Sequence, residues 1–234
     1  MSVIPLSLAD HLSRRWGHLD GLELLRVMIR DVFPGRLAVT TSFGAEAAVL
    51  LDLVAQIEPA TPVLFVDTDA LFDETTAYRE HLARHLGLMD VRIARPSLAE
   101  LAAAAELWAS VPDACCRLRK VRPFERLTSG FAALIDGRKG FHGGDRASLP
   151  TISGGTGSVV KISPLARWDE AQLNATFTDR ALPRHPLWAQ GYRSIGCWPC
   201  TRPIQPGEAA RSGRWAGAAK TECGIHTFAG GEGI

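Results

Sequence analysis

At 234 residues, with 46% apolar and 22% charged residues and a formal net charge of +1, the chain can bury a sizeable core and lacks the composition of a disordered segment. The near-neutral balance argues against a general nucleic-acid or membrane-surface binder, either of which needs a concentrated basic face. With no signal-type apolar stretch at the start and no long apolar run, a soluble cytoplasmic protein is expected, where five cysteines point to thiol chemistry or metal ligation rather than a disulfide framework.

Apolar residues recur at helical spacing over 8–33 and predict one or two amphipathic helices, ended by Pro34 and Gly35. "RLAVTTSF" (36–43) reads as a buried strand, "GAE" as a turn, and "AAVLLDLVAQI" (47–57) as an apolar helix with Glu46 at its start. "TPVLFVDTD" (61–69) is a second strand, followed by the helix "DETTAYREHLARHLG" (73–87). "DVRIARP" (90–96) is a third, before an alanine-rich helix around 98–109, and "FAALIDG" (131–137) and "SVVKISPL" (158–165) add two more. Alternating strands and helices imply an α/β fold, a mostly parallel sheet with helices on both faces. Residues 138–157 and 181–234 are rich in Gly, Pro and Arg, and are expected to be loops arranged around a site. The whole of 1–234 reads as one domain with an irregular C-terminal segment.

"TSFGAEAAV" (41–49) sits where an open parallel sheet binds ligands, at the carboxyl end of a strand and the amino end of a helix. Backbone N–H groups point outward there, the helix dipole favours negative charge, and Gly44 lets a phosphate or sulfate approach. The stretch lacks both the lysine of a P-loop and the three glycines of a dinucleotide fingerprint.

Cys115 and Cys116 are adjacent in "DACCRLRK", and Cys197 and Cys200 form a C-x-x-C, so four thiols come from two distant segments. A redox dithiol normally opens a helix early in a small fold, unlike this C-x-x-C. Four-cysteine zinc remains open, although adjacent ligands fit its usual spacing poorly, whereas a 4Fe–4S cube offers separate corners. Cys223, in "KTECGIH" beside Lys220, Glu222 and His226, stands apart and is free to act as a nucleophile. Lys120 follows Cys116 by four residues, Arg138 begins "RKGFHGGDR", and Arg211 and Arg214 lie in "ARSGRW". Cations gathered from separate segments suit a multiply charged small anion.

The ordered segments S-F-G-A-E, D-T-D-x-L-F-x-E-T, C-C-x-x-R-K-V-x-P, G-R-K, G-Y-x-S-I-G-C-x-P-C-T-R-P, R-x-G-R-W and E-C-G-I-H resemble the assimilatory adenylyl-sulfate reductases, relatives of the phosphoadenylyl-sulfate reductases, over about 36–226. The resemblance implies an adenine nucleotide alpha-hydrolase-like fold, with a nucleotide-binding core over about 36–180 and a cluster and catalytic segment over 181–234. It implies reduction of adenosine 5'-phosphosulfate to sulfite and AMP, with Cys223 as catalytic nucleophile and thioredoxin or glutaredoxin as reductant. By the same resemblance Cys115, Cys116, Cys197 and Cys200 hold a 4Fe–4S cluster. Ser42, Phe43, Gly44, Ala45, Lys120, Arg138, Arg211 and Arg214 are the matching substrate-binding positions; a homo-oligomer stays open. Relatives that use the 3'-phosphorylated nucleotide typically lack the cysteine pairs, so the unphosphorylated nucleotide is expected. Three positions depart from the family pattern and are expected near the nucleotide: Asp69 for glycine, Gly140 for arginine and His142 for glutamine. The rival readings are a cluster-bearing phosphoadenylyl-sulfate reductase, an ATP-using adenylating enzyme, whose S-G-G-x-D-S loop is replaced by "SFGAE", and a zinc-stabilised binding module.

Overall fold

The computed structural model describes residues 7–154, 159–215, 220 and 224–227. Helix α1 (Leu8–Trp16) starts on a reciprocal cap in which Ser7 Oγ accepts from the Asp10 N–H and the Asp10 carboxylate accepts from Ser7 N–H. Helix α2 (Gly21–Arg26) runs into a wide π-helical turn at Val27–Val32, so the expected helical region is real but broken.

Strand β1 (Leu37–Thr41), helix α3 (Ala47–Ile57), strand β2 (Val63–Val66), helix α4 (Asp73–His85) and strand β3 (Val91–Ala94) follow as two β-α-β units. The alanine-rich helix is interrupted, giving α5 (Leu98–Ala103) and α6 (Leu107–Ser110). Pro112 cannot continue a helix but suits a first turn, and it opens α7 (Pro112–Cys116). A second π-helical turn, Arg117–Val121, joins α7 to α8 (Arg122–Thr128). Strands β4 (Ala133–Ile135), β5 (Ile152–Gly154) and β6 (Val160–Ile162), helix α9 (Glu170–Asp179) and the short α10 (Gly224–Thr227) complete the order.

The sheet runs β3-β2-β1-β4-β6-β5, parallel throughout except for β5 against β6. Strand β5 corrects the expectation of a loop over 138–157: three residues ending in glycine carry no periodicity, and the pairing comes from β6. Chain progression reverses direction after β3, when the path returns past β1 to β4. Right-handed crossovers then put the helices of the two halves on opposite faces, which is the expected architecture. The reversal opens a crevice at the carboxyl ends of β1 and β4. Beneath it the core is continuous: Val39 of β1, Val63 and Phe65 of β2 and Ile135 of β4 are at most 1% exposed, and Val49, Leu51 and Val54 of α3 are fully buried. Among the described residues no helix is long and apolar enough to cross a membrane.

Candidate active site

A cavity of about 230 Å³ occupies that crevice. Ser42, Gly44 and Ala45, in the turn from β1 to α3, line it. Phe43 instead turns its ring into the core, fully buried with φ +46° and edge-on to Phe65 at 5.4 Å. A Cβ at Gly44 would lie 3.3 Å from Ser42 Oγ and 3.5 Å from the Ile195 carbonyl. Glycine there lets the 193–197 segment close the cavity wall.

The charges around the cavity come in sets. Glu46 accepts from Lys139 Nζ at 2.8 Å and faces His142 Nε2 at 3.2 Å. Burial raises the Glu46 pKa, but Lys139 and His142 outweigh it and hold the carboxyl at about 2. Arg138 reaches Asp136 at 2.8 Å and Asp136 also accepts from Ser163 Oγ at 2.9 Å, so the Arg138 guanidinium is fixed against β4 and β6. Arg146 and His142 meet at 3.5 Å. Lys120, Arg211 and Arg214 line the cavity from the other side. The Arg214 Nε is buried without a hydrogen-bond acceptor among the described residues, and its guanidinium lies 4.4 Å from the Trp215 ring.

Beside this cavity lies a smaller one of about 130 Å³, lined by Cys115, Cys116, Cys197 and Cys200. Two elements deliver the thiols. The first is the continuous helical path of α7, the π-turn and α8, where the extra residue of the π-turn turns Lys120 inward, 8% exposed. The second is the C-x-x-C segment, tied to the loop between β2 and α4 by a Leu71–Cys197 bridge and by Trp198 N–H donating to Ala70 O at 2.9 Å. Thr68 Oγ1 lies 3.1 Å from Cys197 Sγ, and Arg119 Nη1 donates to the Thr68 carbonyl at 2.9 Å. Lys120 and Cys197 line both cavities. Burial pushes the Cys115 and Cys200 thiols up, and each feels the charge of Cys197. Among the described residues no group of three or more His, Cys, Asp or Glu side chains is arranged to hold a single metal ion.

Cys223 lies outside the described residues. The turn that follows it, α10, packs on the π-turn, with Gly224 so close that a Cβ would meet Val121 Cγ2 at 3.0 Å. Ile225 lines the larger cavity. Lys220, just before the cysteine, bonds Asp113 on α7 and lies 5.6 Å from the Trp215 ring.

Of the three departures, His142 lines the larger cavity, whereas Asp69 lines the thiol cavity and so sits elsewhere than expected. Asp69 has φ +56°, a left-handed backbone that explains the glycine of the family pattern, and its N–H donates to Asp67 Oδ1 at 3.1 Å. Gly140 has no room for a side chain: a Cβ would lie 2.9 Å from the Ala166 carbonyl. Sequence reasoning did not assign Thr68, Glu46 or Arg193 to the site. Glu46 and Thr68 stood inside quoted motifs, but the partners of each come from distant segments of the chain; nothing in the sequence marks Arg193 among the arginines.

Residues 36–203 match the phosphoadenosine phosphosulfate reductase domain model. An adenosine 5'-phosphosulfate reductase of Mesorhizobium japonicum is 44% identical over 93% of this chain and 87% of its own length. A solved phosphoadenylyl-sulfate reductase from Candida auris, in a phosphate complex, is 32% identical with a TM-score of 0.72, over 86% of this chain and 100% of that one. Yeast FAD synthetase, 16% identical with a TM-score of 0.55 over 86% of this chain and 70% of its own, shares the fold alone. Matched across most of its length by the domain and by a relative well above 30% identity, the chain belongs to the phosphoadenosine phosphosulfate reductase family.

Proposed function

We propose that this chain reduces adenosine 5'-phosphosulfate to sulfite and AMP in sulfate assimilation, as a cytoplasmic enzyme supplied with electrons by a thioredoxin or glutaredoxin dithiol. The observation that carries the reading is the shared wall of the two cavities: Lys120 and Cys197 border both the four thiols and the strand-end crevice. The name of the Mesorhizobium relative and the two cysteine pairs both favour the nucleotide without a 3'-phosphate.

Cys115, Cys116, Cys197 and Cys200 would hold a 4Fe–4S cluster. The donor set fits: four thiols from two segments line one cavity, and a cube accepts adjacent cysteines on different irons, whereas a single tetrahedral ion needs all four sulfurs on one point. Bound there, the group would supply rigidity and electrostatic polarisation of the wall that carries Lys120, with no electron passing to substrate.

In the larger cavity the Ser42–Ala45 turn, at the amino end of α3, and the fixed Arg138 would hold the nucleotide. The Cys223 thiolate attacks the sulfate sulfur, the bond from sulfur to the bridging oxygen breaks, and AMP leaves with the electron pair. Charge grows on that oxygen, which Lys120, Arg211 and Arg214 stabilise. The product is a thiosulfonate on Cys223. A thiolate of the reductant attacks the Cys223 sulfur, sulfite departs, and the second thiol of the pair resolves the mixed disulfide, so the dithiol supplies both electrons.

The test is sulfite release from the two nucleotides by anaerobically purified protein with thioredoxin. Preference for adenosine 5'-phosphosulfate supports the reading; equal or reversed preference assigns a phosphoadenylyl-sulfate reductase. A colourless protein that holds one zinc and turns over neither nucleotide overturns it in favour of a binding module.

A further inference from the structure

The cations along the nucleotide cavity differ in what neutralises them. Arg138 is paired with Asp136, and Lys139 with Glu46, each at 2.8 Å. Arg193 lines the same cavity, yet among the described residues it has no carboxylate partner. Two contacts hold its guanidinium: Nη1 donates to the Trp188 carbonyl at 3.2 Å, and the group lies 4.0 Å from the Trp188 ring. Stacking on an indole fixes the plane of a guanidinium while leaving its charge available, which a carboxylate would not do.

A second arginine repeats the arrangement. Arg184 lies 4.7 Å from the same Trp188 ring and 3.6 Å from Phe177, and donates to Asn174 Oδ1 at 2.7 Å, again without a carboxylate partner among the described residues. Burial chiefly lowers its proton affinity, Glu46 and then Tyr78 act in the opposite sense, and the charge of Arg193 adds a smaller lowering. Two guanidiniums sharing one aromatic ring repel each other, and an anion arriving at Arg193 relieves that repulsion.

We propose that Arg193 is a further binding residue of this site, donating to a phosphate oxygen on the ribose of the nucleotide, with Trp188 as the residue that positions it. The assignment rests on the reading that the cavity takes an adenosine nucleotide. The shared chemistry is a phosphate monoester, attached at the 5' or the 3' carbon.

Titration calorimetry of the full chain with adenosine, AMP and adenosine 3',5'-bisphosphate, using wild type, Arg193→Ala and Arg193→Lys, tests this, with urea midpoints measured alongside. Loss of a charge-assisted hydrogen bond weakens binding about tenfold or more. The expected result is that loss for AMP in Arg193→Ala, unchanged adenosine binding, and partial recovery in Arg193→Lys. A loss confined to the bisphosphate also supports the contact and places it at the 3'-phosphate. Equal weakening of adenosine and AMP overturns the assignment in favour of a structural role, as does unchanged affinity for all three ligands. A wild-type protein that binds none of them overturns the functional reading itself, a result distinct from either of those.

Discussion

Gly196, immediately before Cys197, lacks a side chain because the Arg214 guanidinium fills the space. A Cβ there would lie 2.3 Å from Nη2, 2.5 Å from Cζ and 2.7 Å from Nη1 of Arg214. Carbon and nitrogen approach comfortably only to about 3.5 Å, so in Gly196→Ala the guanidinium must retreat by about 1 Å. The backbone itself tolerates alanine, since Gly196 is not one of the left-handed glycines. What moves is the end of a flexible side chain, and its stacking on Trp215 is worth about 0.5–1 kcal/mol. Binding suffers more: a charge-assisted hydrogen bond to the substrate is worth about 1.5–3 kcal/mol, or about a tenfold to 150-fold loss of affinity. Calorimetric titration with AMP beside urea unfolding separates the two effects. Gly213→Ala is the contrast, because its Cβ would meet the Arg202 carbonyl, a backbone atom, at 2.3 Å, and folding should suffer first. Wild-type AMP affinity in Gly196→Ala, or a loss accompanied by more than about 2 kcal/mol of destabilisation, would refute the reasoning.

Lys139→Met leaves the partly buried Glu46 with His142 as its remaining partner among the described residues, and removal of one partner of such a pair should cost up to about 3–5 kcal/mol in urea unfolding, partly restored by adding Glu46→Gln. His185 is 1% exposed, accepts from Leu187 N–H through Nδ1 at 3.2 Å, and so donates through Nε2 to Thr75 Oγ1 at 3.1 Å. Burial lowers its pKa from 6.5 to about 4, so the neutral ring supports folding fully above pH 6.5. That contribution falls as the pH drops from 6.5 towards 4 and is flat below. A pH series of urea midpoints should show the decline in wild type and lose it in His185→Gln.

The repeating β-α-β pattern was legible because each strand is a short apolar run and each helix carries its own period. The π-turn at Arg117–Val121 was not, since one extra residue in a helical path leaves no trace in the spacing of "RLRKV". Strand β5 was missed for a related reason, as it exists only through its pairing with β6. At the site, residue type announced the chemistry: paired cysteines and scattered arginines were visible as candidates. Their division of labour was not, because it depends on which carboxylate or ring each side chain meets once the chain is folded. Arg138 and Arg193 look alike in sequence, yet one is neutralised by Asp136 and the other is stacked on Trp188. Gly196 and Gly213 likewise look alike until one is found against a side chain and the other against a carbonyl.

The division among the sulfurs, four around one cavity and Cys223 left to react, is tested by incubating the protein with sulfur-labelled adenosine 5'-phosphosulfate and no reductant. Label should appear on the wild-type protein, be absent from Cys223→Ser, and be released as sulfite when thioredoxin is added. Label retained by Cys223→Ser would contradict it.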